Sequence, residues 1–137
     1  RMLEAQRVRH PVDDIAPVIG VEDFRRMQKI VKDVFVHDGV KRYLVDVVQS
    51  TRNNIHLALG GSPRASLSLF RASQALAAIG GRNYVIPDDI KALAHPVLDH
   101  RVILKPESRL RRVNTKGVID ELLKQVKVPM GMTSWRG

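Results

Sequence analysis

The apolar positions of this chain fall mostly at helical spacing. Phe24, Met27, Val31, Val34 and Phe35 recur every three or four residues, with Arg25, Arg26, Lys29, Lys32 and Asp33 between them. That pattern predicts an amphipathic helix over about residues 21–33, left by a short extended piece at residues 34–36. Asp38 is placed to cap a second helix whose apolar face holds Val40, Leu44, Val47 and Val48, ending near Asn53 and Asn54. After a loop containing Gly60 and Gly61, a third helix is expected over about residues 63–79. Ten of the fifteen residues from 65 to 79 are apolar, so this helix reads as the central one. Gly80 and Gly81 close it in the manner of a left-handed C-cap.

Residues 83–86 form an extended link. Pro87 then sits at a first helical position, with Asp88 and Asp89 in the positive first turn of a short helix that Pro96 is expected to break or restart. Val102, Ile103 and Leu104 are β-prone and able to pair with residues 34–36. A last helix over about residues 115–127 is expected to bury Val118, Ile119, Leu122, Leu123 and Val126 before Pro129 stops it. Residues 1–9 read as the end of a helix begun earlier, and residues 10–20 as an irregular connector with Pro11 and Pro17. The expected fold class is all-α: a bundle of about five helices with one small strand pair, in a folded unit spanning residues 1–129. Residues 130–137 lack periodicity and are expected to form a flexible tail.

Composition narrows the class. With 137 residues and 44% hydrophobic content the chain supports one domain with its own core. Aromatic residues are only 4%, so that core must be built from Val, Leu, Ile and Ala. No apolar run approaches the ~20 residues needed to span a bilayer. The chain opens on Arg1-Met2-Leu3-Glu4, with neither an initiator methionine at position 1 nor a signal-peptide core, and reads as a segment of a longer protein. Absence of cysteine removes disulfides, thiolate metal ligands and cysteine nucleophiles, and fits a reducing cytoplasm. A net charge of +9 suits a phosphate-binding surface, or a piece that normally accompanies a more acidic domain. Apart from Arg109, Arg111 and Arg112 the basic residues are dispersed, which favours the second reading.

One segment carries chemistry. In Gly60-Gly61-Ser62-Pro63-Arg64, Ser62 can cap the third helix and Pro63 suits its first position, where a missing N–H costs nothing. Arg64 then lies in the first turn, where the helix dipole is positive and a cation stabilises nothing. An anion opposite it would supply a reason for an arginine there. The plainer alternative is an exposed Arg64, or one paired with Asp88 or Asp89. Arg71, seven residues on, lies almost on the same face but ~10 Å further along the axis, so a salt bridge or interdomain contact suits it better than phosphate. The five histidines include no metal-binding spacing, and no metal ligands are assigned; solvated or capping roles suit them better. The adjacent acids Asp13-Asp14 and Asp88-Asp89 point in different directions on regular structure and are poor acid–base pairs.

The run Leu59-Gly60-Gly61-Ser62-Pro63-Arg64-Ala65-Ser66-Leu67 resembles the sensor-two motif of MoxR-family AAA+ ATPases. Gly81-Arg82-Asn83-Tyr84-Val85-Ile86-Pro87-Asp88-Asp89-Ile90-Lys91 and Val97-Leu98-Asp99-His100-Arg101-Val102-Ile103-Leu104 are similar to further segments of that family, in the same order and at similar separations. The resemblance covers about residues 1–129. It implies a helical lid over ATP, with Mg²⁺, bound to a P-loop domain of the same polypeptide. Arg64 would be the sensor-two arginine that reaches the γ-phosphate, with Ser62 and Pro63 beside it. It also implies a cytoplasmic ring homo-oligomer doing chaperone-like remodelling, frequently on proteins with von Willebrand factor A domains. Where the family usually has Thr before Pro-Asp-Asp, this chain has Ile86, so a side-chain cap is lost. No G-x-x-x-x-G-K-[ST] loop is present, so this chain alone is not expected to bind or hydrolyse ATP. A basic nucleic-acid-binding or protein-interaction bundle is the competing class; it has no aromatic platform and no polar groove-entering helix to support it.

Overall fold

The computed structural model describes residues 15–129. The expectations for residues 1–9 as a helix end and for residues 130–137 as a tail lie outside the described residues, as does the first part of the connector. Six helices and two short strands follow one another: α1 (Val21–Asp33), α2 (Asp38–Arg52), β1 (Leu57–Leu59), α3 (Pro63–Ile79), α4 (Pro87–Leu98), β2 (Ile103–Leu104), α5 (Pro106–Leu110) and α6 (Thr115–Gln125). The mainly-α expectation is borne out, with one more helix than anticipated.

The core forms where α2 and α3 pack with α4 and where α6 closes over α2 and α4. Val40, Tyr43, Leu44, Val47 and Val48 of α2 meet Ala65, Leu69 and Ala77 of α3, Ile90, Ala94 and Leu98 of α4, and Val118, Ile119 and Leu122 of α6. These are mostly aliphatic, as the scarcity of aromatics requires. Burying each of the Val, Leu and Ile side chains contributes roughly 1.5–3 kcal/mol before entropy is charged against it. Two polar side chains of α3 are buried among them. Ser73 donates to the Phe70 carbonyl at 2.8 Å, and Gln74 donates to the Val34 carbonyl at 2.9 Å, tying α3 to the chain leaving α1.

Several local expectations need correction. α2 begins at Asp38, but its cap is His37, whose Nδ1 accepts the Gly39 N–H at 3.0 Å; Asp38 instead binds Lys41. Pro96 neither breaks nor restarts α4. Proline there forfeits one backbone bond near the helix end, while Val97 and Leu98 continue the face begun by Ile90 and Ala94 into the core. β2 pairs antiparallel with β1, not with residues 34–36. Phe35 has both backbone groups already committed: its N–H donates to Asn83 O at 2.8 Å and its C=O accepts from Val85 N–H at 3.0 Å. α5 is a single turn that the periodicity did not reveal, and α6 ends at Gln125, four residues before Pro129.

Gly81 has φ of +71°. The Gly81 N–H bonds the Ala78 carbonyl at 3.0 Å and the Arg82 N–H bonds Ala77 at 2.9 Å, the pair of contacts that defines a Schellman termination of α3. The left-handed cap read from Gly80-Gly81 is therefore made, with Gly81 as its left-handed residue.

α1 departs most from expectation. It is amphipathic, with bounds as predicted, yet buries none of its residues. Phe24, Met27 and Ile30 are each more than half exposed.

Candidate functional site around the start of α3

Arg64 is delivered by a short path from β1. The chain leaves Leu59 and passes close against the last turn of α2. A Cβ at Gly60 would stand 2.6 Å from the backbone N and Cα of Arg52, closer than real Cβ atoms approach, so only glycine fits. At Gly61 a Cβ would meet Val48 at 2.9 Å. Both polar groups of the Gly61 residue are taken by α2: its N–H donates to Thr51 Oγ1 at 2.7 Å, and its C=O accepts from Arg52 Nε at 2.7 Å. The Thr51 hydroxyl donates in turn to Val48 O at 2.6 Å and is buried.

Ser62 precedes the helix in extended conformation, but its hydroxyl makes no capping bond. The expected side-chain cap is not formed; the Ser62 carbonyl accepts the Ala65 N–H at 2.8 Å instead, and the latched Gly61 supplies the constraint that a cap would otherwise give. Pro63 occupies the first helical position, as expected from its fixed φ. Ala65 and Leu69 are wholly buried, which turns the other side of α3 outward.

That outward side carries Arg64, Leu67 and Arg71, all exposed. No acid lies in the first turn of α3. Neither carboxylate weighed as a partner for Arg64 is available: Asp88 binds Lys91 at 3.0 Å, and Asp89 is held by Arg82. Arg64 and Arg71 make no ion pair with any described residue. The arrangement thus presents a guanidinium without an ion-pair partner among the described residues at the positive end of a 17-residue helix, on an anchored base.

Thr51 and Arg52 belong to this site and were not singled out from the sequence. Their only signal is their place at the end of α2, just before a Gly-Gly turn, and the side-chain-to-backbone bonds appear only when that turn folds back. The four described histidines make hydrogen bonds within the fold. His37 caps α2, His56 Nδ1 lies 3.2 Å from Ser108 Oγ, His95 bridges Asp99 and Asp120, and His100 accepts from Arg101. Arg109, Arg111 and Arg112 lie exposed at the end of α5 and beyond it.

The chain is similar to known proteins over most of its length. Residues 49–122, which run from the end of α2 into α6, match the AAA lid domain family. The chain is 40% identical over 135 residues to YeaC, an uncharacterized protein of Bacillus subtilis, covering 98% of this chain and 42% of that protein. It is 35% identical over 121 residues to chaperone MoxR1 of Mycobacterium tuberculosis, covering 82% of this chain and 32% of that protein. Among solved structures, a candidate ATPase from Cytophaga hutchinsonii superposes with a TM-score of 0.70 at 27% identity, over 74% of this chain and 33% of the other. The chain therefore spans less than half the length of these relatives. With six helices in the order described, and its glycine-led turn feeding α3, the chain belongs to the AAA lid domain family and is a lid of the MoxR-type AAA+ ATPases.

Proposed function

We propose that this lid covers ATP held by a P-loop domain of the same polypeptide and lends it Arg64 as a sensor-two arginine. Ser62 and Pro63 shape the turn from which Arg64 departs. The observation that carries this reading is the exposed Arg64 in the first turn of α3, with no described acid beside it. A cation there gains nothing from the helix dipole, whereas an anion beside it is favoured by both. A planar guanidinium also suits the oxygen geometry of a terminal phosphate.

ATP, when bound, supplies the phosphoanhydride whose γ-phosphoryl passes to water, with Mg²⁺ spreading its charge. The described residues contain no group of three metal-ligating side chains, so none of them is assigned to the metal. Arg64 neutralises charge on the transferring group and, being rooted in α3, links the state of the nucleotide to the body of the lid. The name of one relative, chaperone MoxR1, supports chaperone-like protein remodelling as the use of this activity, and we place it in a cytoplasmic ring homo-oligomer with von Willebrand factor A domain proteins as the partner class.

The test is Arg64→Ala in the full-length ATPase. Loss of an arginine acting as a finger costs about 10³–10⁵ in rate, and a sensor arginine acting from a lid is expected at or below the low end of that range. The variant should keep the melting behaviour of the parent, because the side chain is exposed. Turnover at the parental rate would remove Arg64 from the site.

A further inference from the structure

We propose that Thr51 and Arg52 are positioning residues for Arg64, acting through the Gly61 backbone; this rests on the role given to Arg64 above. The last turn of α2 grips Gly61 from both sides. Thr51 Oγ1 takes its N–H and Arg52 Nε takes its C=O, each at 2.7 Å. Thr51 has its hydroxyl hydrogen turned to Val48 O, which leaves a lone pair free for Gly61 and fixes the direction of acceptance. The contact is buried at Thr51, where water cannot substitute for it. Gly60 allows the approach, since any side chain there would strike the α2 backbone.

Only two residues, Ser62 and Pro63, separate Gly61 from Arg64. Ser62 makes no side-chain cap, and Arg64 itself has no partner among the described residues. The first turn of α3 is therefore held by buried Ala65 on one side and by the Gly61 latch on the other. α2 also packs on α4, α6 and β1, so the latch joins Arg64 to the body of the lid as well as to its own helix. Because an error of about 1 Å in a positioning contact can cost 10²-fold in rate, loosening this latch acts on catalysis without touching the nucleotide.

The test uses the full-length ATPase. Thr51→Val keeps the side-chain volume and leaves the Gly61 N–H without an acceptor; Thr51→Ser restores the hydroxyl. Thr51→Val is expected to lower kcat by about 10–100-fold with little change in the KM for ATP, and Thr51→Ser to recover most of the loss. In an Arg64→Ala background, Thr51→Val should add no further loss, because the latch acts only through that arginine. Should Thr51→Val fail to fold, Arg52→Met, which alters an exposed residue and removes the other half of the latch, serves the same cycle. If Arg64→Ala cripples turnover while both latch variants leave it normal, the latch is not a positioning device and the role of Arg64 stands. Additive losses in the double variant, or a Thr51→Ser as impaired as Thr51→Val, would equally overturn it. If Arg64→Ala is itself without effect, the reading of the site fails, and this inference with it.

Discussion

Arg82 grips Asp89 with both terminal nitrogens of its guanidinium, at 2.9 and 2.7 Å, across the link that joins α3 to α4. The same carboxylate accepts the Ile86 N–H at 2.9 Å, and Arg82 also donates to the Tyr84 carbonyl at 3.1 Å. Asp89 thus makes the half of a capping box that reaches back to the Ile86 N–H, while the Asp89 N–H is taken by the Ile86 carbonyl at 3.1 Å because Ile86 has no side-chain acceptor to offer. One buried carboxylate locks the link between α3 and α4 to the first turn of α4.

Removing the arginine should cost more than neutralising the acid. Arg82→Met leaves Asp89, whose side chain is 6% exposed, without its cation, and about 3 kcal/mol of stability should be lost. Asp89→Asn leaves an arginine that is 28% exposed and can turn to water, so its loss should be smaller. Urea denaturation of the two variants checks the order; equal losses would mean that the burial of Asp89 does not set the cost.

His95 makes stability depend on pH. Its Nε2 lies 2.9 Å from Asp120 of α6 and its Nδ1 3.1 Å from Asp99, at the end of its own helix. Burial disfavours the charged ring, but the hydrogen bonds to Asp120 and then Asp99 outweigh it, and the pKa is raised above the ordinary imidazole value of 6.5. A raised folded-state value means the folded form holds the proton more tightly than the unfolded chain. The contribution is therefore full below about pH 6.5 and is lost as pH rises through the higher folded value. Melting temperatures of the parent and His95→Gln should differ most in mildly acidic solution and converge as pH rises. A gap that widened with pH would reverse the sign given to this contact.

The half-exposed apolar face of α1 is expected to contribute little to the stability of the described domain, unlike the buried face of α3. Phe24→Ser or Met27→Ser should change stability by no more than about 0.5 kcal/mol, because these side chains are already half in water. Leu69→Ala, at a wholly buried position, should cost about 2–5 kcal/mol. Thermal or chemical denaturation of the domain distinguishes the two classes. A loss of several kcal/mol at Met27 would show that α1 contributes to the core after all.

The site was legible in part. Gly60-Gly61, Pro63 and Arg64 announce a turn, a helix start and a cation in an unusual place, all from local chemistry. Thr51 and Arg52 were not legible, because a threonine and an arginine in the last turn of a helix look like ordinary surface residues. Their role arises from a chain reversal that returns Gly61 to them nine and ten residues later. Ser62 misled for a different reason: the residue type and place suit a side-chain cap, but its backbone carbonyl accepts the Ala65 N–H instead.

Taken alone, the amino-acid order determined the helices whose ends are written in proline and glycine. α3 and the start of α4 fall where Pro63, Gly80-Gly81 and Pro87 place them, since backbone restrictions act within a few residues and need no partner, and α1 falls where its helical periodicity places it. Tertiary structure decided what local preference leaves open: that β2 joins β1 while Phe35 bonds Asn83 and Val85, that α4 runs through Pro96, and that the apolar stripe of α1 stays in water. Each of these depends on which surfaces meet, and a periodic pattern records that a face is apolar without recording what it will touch.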